Sequence, residues 1–258
     1  SLAMSFGEAA TALRESAPQQ MVATAGSATL AGVLHEGMLR PSVPAALLET
    51  IAGGRELRTR NGVLVGMASS VLTALRGTQP LHARLSSAEQ SNTSAIFGDR
   101  LIMKLFRRQQ PGVNPDVEIG RFLTEKAKFP SIAPYGGCIE VRHGDEEPAT
   151  LALLQGLVPN EGDGWQWTLE ELDRYYESTA SARSRDATGG HALGEEGTAL
   201  AREHAGIYVD AAATLGRRTA EMHLALASGR DEAFAPVQPT VEELDSSRDM
   251  RAGHAAHA

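Results

Sequence analysis

The sequence predicts an α+β fold, a mostly antiparallel sheet with one helix laid across it. Three observations carry this reading. Short apolar runs between residues 81 and 155 are separated by hairpin-type turns. One helix start interrupts them, Asn114-Pro115, with Asn as N-cap and Pro at the first helical position. The remaining helical patterns lie before and after this block.

The bulk numbers bound what the chain can be. Its 258 residues suit one large domain or two small ones, and 42% hydrophobic content is that of a globular protein. With 24 Lys plus Arg against 32 Asp plus Glu, the formal charge of −8 argues against nucleic acid as a partner. The single cysteine, Cys138, has no internal disulfide partner and no metal-ligand spacing around it, so it reads as a small buried residue of a strand and no metal site is expected. No run approaches the roughly 18 apolar residues of a membrane span, and no basic-then-apolar leader opens the chain. A cytoplasmic protein with no membrane partner is expected.

Residues 1 to about 56 are alanine-rich with helical spacings, first Leu30, Val33, Leu34 and Met38, then Leu47, Leu48 and Ile51, broken by Pro41 and Pro44. Arg60-Asn61-Gly62 marks a hairpin, because Asn-Gly readily takes the positive φ of a two-residue turn. Strands are expected at 81–85, 95–97 and 101–106, with a polar turn at 89–94 and a Gly98-Asp99 hairpin. After the Asn114 helix come strands at 137–141 and 150–155, joined by the charged turn His143-Gly144-Asp145-Glu146-Glu147. Thr168-Leu169-Glu170-Glu171 has the pattern of a capping box and predicts a helix to about Ser181. Residues 182–202 have little hydrophobic content and read as a mobile insertion. A last helix is expected from about His204 to Ser228, with Ile207, Ala211, Leu215, Met222 and Leu226 as its packing stripe and His223 as a structural residue. The polar end, 241–258, reads as a disordered tail.

One residue of the sheet stands out. In Leu101-Ile102-Met103-Lys104-Leu105-Phe106 both faces of the strand are apolar, so alternation sets Lys104 beside Ile102 and Phe106 on a surface that should be covered. An ammonium there needs an anion. The helix that follows supplies Glu118, with Asp116 and Glu125 as competitors. A strand lysine and a helix glutamate beside a polar turn is the arrangement by which protein-kinase-like folds hold ATP phosphates.

Here the chain resembles the bacterial maltokinases. The likeness rests on 89–94 (EQSNTS), 97–101 (FGDRL), 104–108 (KLFRR), 114–123 (NPDVEIGRFL), 154–163 (LQGLVPNEGD) and 216–224 (GRRTAEMHL), and spans residues of about 30 to 240. It implies a partial N-terminal cap subdomain at 1–80, a kinase-like nucleotide-binding lobe at 81–160, and the start of a helical C-lobe at 161–240. It also implies ATP and Mg²⁺ as cofactors, maltose as acceptor with maltose 1-phosphate as product, and a trehalose synthase domain or subunit as partner in trehalose-to-glycogen metabolism.

Carried over residue by residue, the resemblance gives Lys104 the α- and β-phosphates and Glu118 the lysine's ammonium. Gln90, Ser91, Asn92, Thr93 and Ser94 become a phosphate cradle, which composition alone reads as an ordinary polar loop. Gln155, Gly156 and Val158 become the adenine hinge, which otherwise reads as a plain exit from a strand. Arg107 and Arg108 either add positive potential near the phosphates or form a solvated pair. Trp165 and Trp167 either stack on a sugar or pack on the sheet.

The family's catalytic loop and its Asp-Phe metal motif do not occur, and His143-Gly144-Asp145 falls in a hairpin turn, away from any sugar hydroxyl. No catalytic residue is therefore assigned, and this chain alone is expected to bind ATP without turnover. The alternatives are a related small-molecule kinase with another acceptor, and a non-catalytic nucleotide-binding or interaction module. An exposed apolar face and self-association are also expected.

Overall fold

The computed structural model describes residues 2–26, 31–86, 92–183, 195–230, 233–243 and 246. Its front departs from the helical reading. Strands β1 (Leu2–Phe6), β2 (Met21–Gly26) and β3 (Ala31–Glu36) form an antiparallel sheet in the order β1-β3-β2, and helix α1 (Gly7–Ser16) packs on it. The spacing of Val33, Leu34 and Met38 reflects a strand that runs into a 3-10 turn. Val33 and His35 are fully buried while Leu34 is only half-buried, which is the period of two of a strand with one covered face. Leu30 lies outside the described residues. His35 is satisfied at both nitrogens: its Nδ1–H donates to the Glu36 carbonyl at 2.7 Å, so Nε2 accepts from the Ser5 hydroxyl at 2.9 Å.

A seven-stranded antiparallel sheet follows, in the order β4-β5-β9-β10-β8-β7-β6. Its first pair, β4 (Glu56–Arg58) and β5 (Val63–Ala68), comes from the segment assigned to the cap, so the sheet runs across residue 80. The Asn61-Gly62 hairpin is present, but as a four-residue loop closed by Thr59 N–H on the Gly62 carbonyl at 2.8 Å. Neither Asn61 nor Gly62 has positive φ. Gly62 is needed for another reason: a Cβ there would lie 2.2 Å from the Arg142 carbonyl oxygen.

The remaining strands are β6 (Ala83–Ser86), β7 (Asn92–Phe97), β8 (Leu101–Phe106), β9 (Tyr135–Arg142) and β10 (Ala149–Gly156). Helices α2 (Ser42–Ala52) and α3 (Leu72–Arg76) cover one face, where Leu48, Ile51 and Leu72 meet Phe97, Met103, Ile139 and Leu154. The approach of α2 is close, since a Cβ on Gly66 would stand 2.1 Å from the Thr50 carbonyl oxygen. Helix α4 (Pro115–Arg121) and the π-helical turn Phe122–Lys126 that continues it cover the other face, where Val117 packs with Tyr135, Cys138, Leu153 and Phe106.

Two long helices complete the chain. Helix α5 (Gly164–Arg183) starts four residues before the expected capping box. Its first turn is capped by Asp163, whose carboxylate accepts from Gln166 N–H at 2.8 Å, and Thr168 instead donates to the Gly164 carbonyl. Helix α6 (Glu195–Ala227) begins inside the stretch read as an insertion and breaks its regular geometry at Ala205, beside the expected start at His204. Residues 184–194 of that stretch, and 247–258 of the expected tail, lie outside the described residues. The expected packing stripe holds only in part: Ala211, Met222 and Leu226 are half-buried. Ile207 is 70% and Leu215 69% exposed, and His223 is exposed too, because α5 is the main neighbour of α6.

Candidate functional site

Lys104 sits in the middle of β8, opposite Ser94 of β7 on one side and Leu153 of β10 on the other. Leu153 and Phe106 belong to the cluster under Val117, so the face that carries Lys104 is the face that α4 covers. Lys104 is half-buried there, as the apolar run around it required.

The cradle residues divide between the two faces. Asn92 pairs with Phe106 and Ser94 with Lys104, on the lysine's face. Thr93 pairs with Leu105 on the opposite face, where its hydroxyl donates to Glu36 Oε1 and accepts from Arg107 Nε at 3.4 Å. Residues 92–94 are therefore strand, and Thr93 faces away from the lysine. Gln90 and Ser91 lie outside the described residues. Beyond the end of β8 a cleft of about 600 Å³ opens between Asn92, Arg107, Arg108, Gln110 and Asn114.

Helix α4 is set by its first residue. The Asn114 side chain accepts from Asp116 N–H at 2.9 Å and Val117 N–H at 3.3 Å, with Pro115 in the first turn, as the sequence predicted. Of the three carboxylates that could serve Lys104, Asp116 is exposed on the first turn. Glu125 is committed elsewhere, accepting from Ser70 N–H at 2.8 Å and pairing with Arg121 at 3.3 Å. Burial pushes its pKa up, but the Ser70 hydrogen bonds and Arg121 outweigh this and hold it below the usual glutamate value. Glu118 is half-buried and lines a cavity of about 460 Å³ with Met67, Arg121, Tyr135, Cys138 and Glu140, on the β9 and β5 side of α4; Lys104 does not line that cavity. Burial pushes both the Tyr135 hydroxyl and the Cys138 thiol upward in pKa, so both stay protonated near neutral pH.

At the exit of β10, Gln155 pairs with Ile102 and Tyr135 and lies on the lysine's face. Gly156 N–H donates to the Pro134 carbonyl and Leu157 N–H to the Arg100 carbonyl, both at 2.8 Å. Val158 is 51% exposed, and its carbonyl accepts from Asn160 Nδ2 at 3.1 Å. The segment is thus pinned at two points and turns outward at Val158.

His143 of the His-Gly-Asp turn is bonded through Nδ1 to the Asn61 carbonyl at 2.8 Å, at the end of the sheet that β4 and β5 share. Trp167 stacks on Tyr208 of α6, with ring centroids 5.6 Å apart, rather than on the sheet, and Trp165 is 72% exposed. Sequence reasoning missed Glu36, Arg121 and Tyr135. Only the structure shows that β3 ends against β7, or that Tyr135 faces α4; no local motif signals either.

No protein-family model matches the chain. Among solved structures it is similar to a glucosamine kinase in complex with glucosamine, ADP and inorganic phosphate, at 20% identity and TM-score 0.44, covering 81% of this chain and 46% of that one. A glucosamine kinase in crystal form B matches at 19% identity and TM-score 0.39, over 76% of this chain and 51% of that one. The chain spans about half the length of the solved structures it matches.

Proposed function

We propose that the chain supplies the ATP-binding part of a sugar kinase that phosphorylates maltose to maltose 1-phosphate. The observation that carries this is the placement of Lys104. Strands β6, β7, β8, β10 and β9 lie side by side, the lysine is on the third of the five in sequence, and a single covering helix follows that strand. This is how kinase-like lobes set a phosphate-binding lysine between a turn above and a helix beside it. Asn92 and Ser94 share its face, and Gln155 opens the segment that would meet adenine. Maltose as acceptor and a trehalose synthase partner rest on the sequence resemblance.

The described residues fit a nucleotide better than a metal. Arg107 and Arg108 line the cleft beyond β8, and Lys104 lies separately on the face under α4, whereas no group of three or more His, Cys, Asp or Glu is placed to hold an ion among the described residues. We therefore derive no step through Mg²⁺, and nucleotide binding is the part of the reaction that these residues supply. The test is calorimetry with Mg-ATP on this chain, wild type beside Lys104→Ala. Binding that weakens at least about tenfold in the variant supports the reading, as loss of a charge-assisted contact should. No binding by wild type overturns it.

A further inference from the structure

The cavity beside Glu118 is lined in part by residues from the far end of the chain, Ala233 and Phe234. Phe234 stacks on Phe122 with centroids 4.1 Å apart and planes at 25°. Phe122 is buried and opens the π-helical turn that continues α4, a geometry frequent at functional sites. Gly229, just past the end of α6, lies close to this pair: a Cβ there would stand 2.5 Å from Phe234 Cβ and 3.0 Å from the Phe122 ring. Among residues 233–243 every residue but Phe234 is exposed. Among the described residues of the segment, Phe234 supplies the ring contact to the body, and Ala233 lines the same cavity.

We propose that the segment carrying Phe234 is a detachable strap that clamps α4 over the Cys138 cavity, so that α4 and its Glu118 are positioned from the end of α6. The cavity of about 460 Å³ is lined by Val117, Glu118, Met67 and Cys138 together with Phe234. A single aromatic anchor suits a strap that can leave, since releasing it uncovers one ring pair rather than an interface. Releasing it also frees the helix that carries Glu118. In its consequence for nucleotide binding this rests on the ATP reading above; the clamp itself does not.

Cys138 is the only cysteine of the chain and lies fully buried against the cavity, which makes it a reporter. The rate of its reaction with an aromatic disulfide reagent, followed on the full chain, reads how often the cavity opens. Phe234→Ala should speed labelling roughly tenfold while the far-UV spectrum is retained, and Phe234→Leu should fall between it and wild type. Val237→Ala, at an 87% exposed position of the same segment, should label like wild type. A folded Phe234→Ala that labels at the wild-type rate overturns the strap. If Phe234→Ala unfolds, Phe234→Leu decides: acceleration supports the strap and an unchanged rate overturns it. Mg-ATP should bind wild type more tightly than Phe234→Leu. Failure of wild type to bind nucleotide, with labelling still accelerated in the variants, would remove the ATP reading and leave the strap standing.

Discussion

Thr93 of β7 donates its hydroxyl hydrogen bond to the carboxylate of Glu36 at the end of β3, joining the large sheet to the small one. Both side chains are largely shielded from water, so the bond is worth more than a surface contact. Thr93→Val keeps the shape and removes the donor, leaving Glu36 short of a partner. We expect a loss of about 1–3 kcal/mol in urea unfolding. Mg-ATP affinity should stay at the wild-type value, because Thr93 points away from Lys104. A drop in affinity at unchanged stability would put Thr93 back in the phosphate cradle.

Asn114 caps α4 through two backbone N–H groups, and α4 has only two turns before its π-helical continuation. Asn114→Ala should cost about 1 kcal/mol of stability, with Asn114→Asp retaining most of it. The loss is local, so hydrogen exchange should quicken in 115–121 before it changes in β8 or β10.

The central sheet was legible because its signals are local: alternation around Lys104, the Asn114-Pro115 start, and turns at Gly98 and Gly144. The front was not. Ala31–Glu36 has a run of apolar residues whose spacing fits a helix as well as a strand, and only pairing with β1 and β2 decides between them. The Asn-Gly turn misled for the same reason, since contact with Arg142, a residue distant in sequence, fixes the loop. The α6 stripe was read from periodicity that packing uses only in part, with Ala211, Met222 and Leu226 half-buried but Ile207 and Leu215 exposed. Among the candidate residues, strand pairing places Lys104 and Gln155 on one face, which no local pattern signals, whereas Thr93 was misplaced because a residue read in a turn carries no alternation.

Glu125 gives stability a pH dependence whose direction can be stated. Its folded pKa lies below the usual value, so its ionised form is favoured by folding. The contribution is complete above the unfolded value of about 4.3 and fades as pH falls through the folded one. Wild type should therefore exceed Glu125→Gln in stability by a constant amount from neutral pH down to about pH 5, with the gap closing below that. Urea midpoints across pH would reveal it. A gap that widens on acidification would mean that Ser70 and Arg121 do not hold the carboxylate.

Leu154 and Leu215 put the exposed α6 surface to the test. Leu154 is fully buried against α2 and Ile139, and its truncation to Ala should cost about 2–5 kcal/mol, the range for a core leucine. Leu215 is 69% exposed, so Leu215→Ala should stay within about 0.5 kcal/mol of wild type. The two side chains are chemically identical, so the difference is dominated by burial, with a smaller part from the propensity of Ala for a helix over a strand. Ile207 and Leu215, eight residues apart on one side of α6, are each about 70% exposed, and such a surface favours association. Leu215→Lys should then reduce any concentration-dependent rise of mass in light scattering while leaving the unfolding midpoint in place. If Leu215→Ala proves as costly as Leu154→Ala, the stripe is buried in solution and α6 has a covering neighbour.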